Sequence, residues 1–137
     1  MKRADFQKLS RLRINEAKVL LNANEYSGAY YLSGYGLECA FKSCIAKSYS
    51  RHVFPDKAKV NKSHTHNLEL LMKVARLEPQ FGLDSETNPV LRANWATAKD
   101  WNETSRYEIK TEIEAKNLYL AITQRNNGVL KWIQQYW

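Results

Sequence analysis

The chain has 137 residues, of which 44% are hydrophobic and 26% are charged, and its formal net charge is +7. This length suits one domain of ordinary size, here residues 1–137, and the composition is that of a folded globular protein rather than a disordered one. No apolar run reaches the roughly 18 residues that a membrane-spanning helix needs, so we expect no membrane association.

The N-terminal segment and the cysteines predict a cytoplasmic protein. The first residues, MKRADFQKLSRLR, are partly basic but lack the apolar segment of a secretory signal peptide. Cys39 and Cys44 are five positions apart in one predicted helix, so they face different sides and cannot pair with each other there. Their spacing is also not that of metal ligands, and a reducing compartment fits both thiols.

Basic residues concentrate in two segments of the sequence. Residues 2–18 hold six Lys and Arg against two acidic residues, and residues 42–62 hold six against the single Asp56. A basic surface favours nucleic acid, nucleotides or an acidic protein as partner, although solvated helix faces give the same pattern.

The first predicted helix covers residues 4–21. Apolar side chains recur at helical spacing, and either Leu12 or Arg13 occupies one inward position of that pattern. Residues 22–24, Asn-Ala-Asn, should end the helix and form the turn to the next one.

The second predicted helix, from Tyr26 to Tyr49, organises the chain. Its segment 28–41, GAYYLSGYGLECAF, is apolar on all sides except at Glu38. A helix without a polar face belongs at the centre of a bundle. Its glycines cost about 1 kcal/mol each in helix propensity, which is tolerated where neighbouring backbones approach closely.

The remaining residues predict one loop and two or three more helices. We expect a loop over 52–63, a third helix capped by Ser63 or Thr65, and a broken segment over 79–89 that Leu77, Phe81 and Leu83 attach to the core. A short helix over 90–101 carries Trp95, and a last helix over 109–136 is weakened or kinked at Asn126-Asn127-Gly128. The sum is an all-α fold, an up-and-down antiparallel bundle of four or five helices.

Glu38 is the first candidate site residue, because a buried carboxylate without a partner is costly. Lys42 follows one turn later in the favourable order, which is the purely structural explanation. The functional interpretation places a polar stripe on this helix, made of Tyr31, Tyr35, Glu38 and Lys42. We expect Glu38 to be ionised and held by Arg106, whose planar fork suits a carboxylate, with Lys42 second and Arg125 next.

The histidines are the second candidate. His64 and His66 are two residues apart at a helix start, do not share a face and have no further ligand, so we predict no zinc, no other metal and no cofactor. His66 suits a capping or packing role, or a general base if a substrate hydroxyl comes within reach. Known phosphate-binding and hydrolase motifs are absent from the sequence.

Four segments together resemble the HEPN-domain proteins, the helical family named for nucleotide binding in higher eukaryotes and prokaryotes. These segments are GAYYLSGYGLECAFKSCIAK, SHTHNLELL, NWATAKDWNETSRYE and GVLKWI, and the resemblance extends over about residues 3–135. It implies an up-and-down bundle in a prokaryotic, cytosolic protein. It also implies a minimal nucleotidyltransferase as partner in a toxin–antitoxin-like pair, and a homodimer.

One departure from the family affects the site. Its ribonuclease members carry an Arg followed, after four to six residues, by a His near the start of the last helix. Here no Arg is followed by His at that spacing, and the last histidine is His66. The resemblance therefore implies a nucleotide- or RNA-binding set of Glu38, Lys42, Arg106 and Tyr107, without the family's nuclease site.

Three functions remain open from the sequence. The leading one is a binding module for a nucleotide, RNA or a nucleotidyltransferase. The second is a metal-independent ribonuclease with a rearranged site of His66, Arg106 and Tyr107. The third is a structural interaction domain whose polar centre only fixes the helix register. Since aromatic residues are enriched at interfaces, we expect Trp132, Tyr136 and Trp137 to contribute to a homodimer.

Overall fold

The computed structural model describes residues 1–49 and 56–137, and within them all regular structure is helical. This confirms the all-α prediction. The described part contains eight α-helices and one 3-10 helix: α1 (Arg3–Asn22), α2 (Tyr26–Lys47), α3 (Lys57–Ser63), α4 (Leu68–Val74), α5 (Glu78–Glu86), α6 (Pro89–Ala98), the 3-10 helix (Glu103–Tyr107), α7 (Glu112–Thr123) and α8 (Val129–Ile133). None of these helices is long and apolar enough to cross a membrane.

Helix α2 lies at the centre, as its composition predicts. It packs against α1, α4, α7, α8 and the 3-10 helix, and most of its length from Ala29 to Ile45 is buried. The small residues bring neighbours onto its backbone. A Cβ at Gly34 would lie 2.2 Å from the Trp101 indole, and the Ser10 hydroxyl of α1 donates to the Gly36 carbonyl over 2.7 Å.

The predicted last helix is two helices rather than one kinked helix. Helix α7 ends at Thr123 and α8 begins at Val129, so the break coincides with the Asn-Asn-Gly segment. A Cβ at Gly128 would lie 2.5 Å from the carbonyl oxygen of Gln124, which shows how tightly the chain turns there. The Asn94 side chain donates to the Asn127 carbonyl and holds the turn against α6.

Two segments predicted as loops are helical. Within the predicted 52–63 loop, residues 52–55 lie outside the described part, and α3 follows with Asp56 as its cap. The broken segment before Asn88 forms α5, which accommodates Pro79 in its first turn. Leu83 is 64% exposed, so the expectation that it attaches this segment to the core is wrong.

Helices α1 and α4 end in the same backbone motif but with different residues. Asn24 and Arg76 both adopt a left-handed conformation, with φ of 61° and 59°. In each case the backbone amide of the following residue donates a hydrogen bond to a carbonyl in the last turn of the helix. The Glu25 amide donates to the Leu20 carbonyl, and the Leu77 amide donates to the Met72 carbonyl. Glycine and asparagine tolerate this conformation, whereas other residues incur a cost of roughly 1–2 kcal/mol. Asn24 is thus an ordinary choice, and Arg76 is an unusual one.

Candidate functional site

A buried carboxylate on α2 forms the centre of the candidate site. The Glu38 side chain is 1% exposed, and its Oε1 accepts a hydrogen bond of 2.8 Å from the Lys42 Nζ. Both Glu38 oxygens also lie 3.0 Å from the Nδ1 of His66. We call Glu38, Lys42 and His66 the Glu38 site.

The connection between α3 and α4 positions His66 over α2. The Thr65 Oγ1 accepts from the amide of Asn67, and the Asn67 Oδ1 accepts from the amide of Leu70 and so caps α4. Asn67 is therefore the cap, not Ser63 or Thr65 as the sequence suggested. The next residue, Leu68, is 1% exposed and anchors the helix start in the core. His66 is fixed from both sides, so its ring is directed at the carboxylate.

The chemistry of the three groups defines their hydrogen-bonding roles. An ionised carboxylate only accepts hydrogen bonds, so the His66 nitrogen facing it, Nδ1, carries a hydrogen. The other ring nitrogen, Nε2, is then the position left for a ligand or a proton. The His66 side chain is 46% exposed and that of Lys42 is 17% exposed. The Glu38 site therefore joins a buried anion to an ammonium and an imidazole that both reach the surface.

Arg106 does not hold Glu38, so the first-choice pairing predicted from the sequence is wrong. In the described residues the ion-pair partners of Glu38 are Lys42 and His66. Arg106 is exposed on the 3-10 helix, where its guanidinium stacks 5.0 Å from the ring centre of Tyr107. Arg125 is exposed in the turn between α7 and α8 and does not pair with Glu38 either.

Arg106 instead meets the other end of the predicted polar stripe. The pKa of Arg106 is raised, mainly by the neighbouring Tyr107 and to a smaller extent by Tyr31. The Tyr31 ring stacks on Tyr35, with centroids 6.1 Å apart. The pKa of Tyr35 is raised by burial first, and then by the nearby Cys39 and Glu38. The stripe on α2 thus exists, but Arg106 and Glu38 lie at its opposite ends.

Arg13 is a half-buried arginine on α1, the helix packed against α2, and the sequence interpretation missed it as a candidate. Its charge acts on Tyr35 and Cys39, which flank Glu38 on α2, and its Nη1 lies 2.6 Å from Glu16. The signal was in the periodicity, which left either Leu12 or Arg13 as an inward position. Leu12 is 43% exposed and Arg13 is half-buried, so the arginine is the residue that turns inward.

A cavity of about 310 Å³ opens beside the Glu38 site. Lys42 and His64 contribute its cationic and polar edge, and its apolar lining comes chiefly from Phe6, Ile45, Ala46, Tyr49 and Val60. Because Lys42 belongs to both, a ligand held by its ammonium can extend into this cavity.

In residues 1–49 and 56–137, no group of three or more His, Cys, Asp or Glu side chains is arranged to hold a metal ion. Comparison with known proteins adds no relative: no family model, no curated protein and no solved structure matches the chain.

Proposed function

We propose that the chain is a HEPN-like helical module that binds a nucleotide or RNA through the Glu38 site. The observation that carries this proposal is the arrangement of one buried carboxylate with two surface-reaching nitrogen donors. A carboxylate that orients cations at a surface prepares them for an anion, because less side-chain freedom is lost when the anion binds.

Phosphate is the anion that suits these donors best. The Lys42 ammonium has three N–H groups, and one of them is directed at Glu38. Its remaining N–H groups can donate to phosphate oxygens, and so can the Nε2 of His66 when the imidazole is protonated on both nitrogens. The excess of positive charge, +7 over the chain, attracts polyanions over longer distances.

The proposal includes the assembly that the HEPN resemblance implies. We propose a cytoplasmic homodimer that pairs with a minimal nucleotidyltransferase in a toxin–antitoxin-like system. Of the three C-terminal aromatics, Trp132 is a poor candidate for its interface, because it is buried and donates to Asp84 within the chain, whereas Tyr136 and Trp137 are partly exposed. Large apolar side chains are exposed instead around the start of α7, at Tyr107, Ile109 and Ile113.

Titration of the protein with a short fluorescent RNA tests the binding role. Lys42→Gln and His66→Ala should each weaken binding at least tenfold while the far-ultraviolet circular dichroism stays unchanged. Lys116→Gln is the matched control, since Lys116 is a cation on α7 whose ion-pair partner among the described residues is Glu112. Equal losses for Lys42→Gln and Lys116→Gln would reduce the effect to bulk charge and contradict the proposal.

Metal-independent RNA cleavage is the second candidate, and the Glu38–His66 hydrogen bonds favour it. A carboxylate that holds Nδ1–H of a histidine leaves Nε2 available as a general base. Nε2 would accept the proton of an RNA 2′-hydroxyl, the 2′-oxygen would attack the adjacent phosphorus, and the 5′-oxygen would leave and take a proton from solvent. The products are a 2′,3′-cyclic phosphate and a 5′-hydroxyl. In this scheme Arg106 and Tyr107 have no contact with His66, the general base.

Our expectation is that the purified protein has no strong ribonuclease activity, because the family's Arg-to-His spacing is absent. Cleavage of RNA that His66→Ala abolishes would establish the enzymatic alternative over simple binding. Activity that His66→Ala leaves unchanged would come from a contaminating nuclease.

A further inference from the structure

A second cavity, strongly basic, lies on the other side of helix α3. It measures about 360 Å³, and its lining includes the cations Lys59, Lys62, Lys73 and Arg76 against the single acid Asp56. The Asp56 carboxylate accepts from the amide of Ala58 at the start of α3, so its charge is partly engaged by the backbone. We call this the basic cavity, and the cavity beside Lys42 the apolar cavity.

The basic and apolar cavities adjoin at one pair of side chains. Lys59 lines the basic cavity, and its ammonium lies 4.7 Å from the ring centre of Tyr49, which lines the apolar cavity. The same ammonium donates to the Ser48 hydroxyl over 2.6 Å, and the Tyr49 hydroxyl lies 3.3 Å from that of Ser63. These contacts tie α3 to the end of α2 and make the Lys59–Tyr49 pair the boundary between the cavities.

Arg76 lines the basic cavity from a backbone conformation that is unusual for arginine. Its left-handed backbone, at φ of 59°, is one that glycine or asparagine adopts more easily. The equivalent position after α1 carries Asn24. Strained backbone conformations of this kind are more frequent at functional sites, where the role of the side chain outweighs the energetic cost of the conformation. Here the strained residue places a guanidinium at the lining of the basic cavity.

We propose that a single RNA strand crosses α3, with one base in the apolar cavity, one flanking phosphate at Lys42 and His66, and the other in the basic cavity at Lys62 and Arg76. This proposal rests on the proposed function and extends it from one phosphate to a strand. In an RNA strand each base lies between two phosphates. The protein surface offers a matching sequence of groups: the donors of the Glu38 site, then the apolar cavity with the Tyr49 ring, then the cations of the basic cavity. Base–aromatic stacking and backbone cations are the usual elements of single-strand recognition.

A mononucleotide fits this surface less well than a strand does. It carries phosphate on one side of its base, so it would occupy either the Glu38 site or the basic cavity but not both. The strand therefore differs from a free nucleotide in using Arg76 and Lys42 at the same time.

Fluorescence anisotropy of a labelled hexauridylate, measured at several potassium chloride concentrations, tests the strand path. Arg76→Gly and Lys62→Gln should each weaken binding several-fold and make the salt dependence shallower by about 0.7 in log–log slope for each lost phosphate contact. Arg76→Gly should not lower the unfolding midpoint in urea, since glycine suits the backbone there. Asn24→Gly and Lys18→Gln are the matched controls, and both should leave binding unchanged.

A chain of abasic ribose phosphates of the same length tests the base position. The wild-type protein should bind it more weakly than hexauridylate, and Tyr49→Ala should remove that difference. Wild-type affinity in Arg76→Gly, an equal loss in Lys18→Gln, or equal binding of both oligomers by the wild type would overturn the strand path. In each of those cases, weaker binding of hexauridylate by the Lys42→Gln variant would still support the Glu38 site. If the wild-type protein bound neither oligomer nor uridine monophosphate, the proposed function itself would be refuted.

Discussion

A methyl group added at Gly34 should destabilise the protein through Trp101. The ideal Cβ would lie 2.2 Å from two indole carbons, far inside the carbon–carbon contact distance of about 3.5–4.0 Å. Trp101 is 2% exposed, and the Tyr31 ring stacks on it with centroids 6.0 Å apart, so the indole has no free space to enter. Overpacking of this kind costs about 1–3 kcal/mol. Alanine returns about 1 kcal/mol of helix propensity, so the net loss for Gly34→Ala should reach about 2 kcal/mol.

Urea unfolding followed by circular dichroism measures this loss, and Gly82→Ala is its matched control. Gly82 also lies inside a helix, α5, but a Cβ there would meet nothing within 4 Å. The control should therefore gain up to about 1 kcal/mol from propensity alone. In a Trp101→Leu background the cost of Gly34→Ala should shrink, because the two positions are coupled through one contact. A midpoint for Gly34→Ala as high as that for Gly82→Ala would refute the reasoning.

The other predictions concern the buried charge and the thiols. Lys42→Met should cost about 1–3 kcal/mol in urea unfolding, because it removes a donor from a buried carboxylate. Arg106→Ala, at an exposed position, should stay within about 0.5 kcal/mol, and the reverse order would contradict the pairing described above. Burial raises the pKa of Cys39 to about 11 and that of Cys44 to about 12, so both should resist alkylation at about pH 8 until the chain unfolds. Since the unfolded thiols lose their protons near the reference pKa of 9.0 and the folded ones do not, the free energy of unfolding should fall as the pH rises from about 9 to about 11. Rapid labelling of the folded protein, or stability that rises over this range, would count against the burial of these groups.

The central helix and its local charge pair were predictable because their determinants lie within the helix itself. The segment around Gly34 lacks a polar face, which places it in the middle of a bundle whatever surrounds it. Lys42 follows Glu38 by one turn, so the pair forms wherever that helix forms.

The partner from a distant segment was not predictable in the same way. His66 lies 28 residues from Glu38, and their contact depends on the turn that Thr65 and Asn67 stabilise between α3 and α4. That turn follows α3, a helix of seven residues, which is too short for apolar periodicity to reveal. The chemistry of arginine favours it as a partner for Glu38, but packing decides whether its side chain comes within reach of the carboxylate. Arg106 lies exposed on the 3-10 helix.

The graded exposure of the Glu38 site argues against a polar centre that only fixes helix register. Burying an ion pair rarely adds net stability, because desolvation offsets the attraction between the charges. A polar cluster that fixes helix register would keep all of its members inside the core. There, any other packing of the helices would leave a buried polar group without a hydrogen-bond partner and would be disfavoured. Here exposure rises from 1% at Glu38 to 17% at Lys42 and 46% at His66, so the hydrogen bonds lead from the core to the surface. The buried carboxylate thus connects to groups that reach the surface, which supports the proposed recognition of an anion over a role in helix register alone.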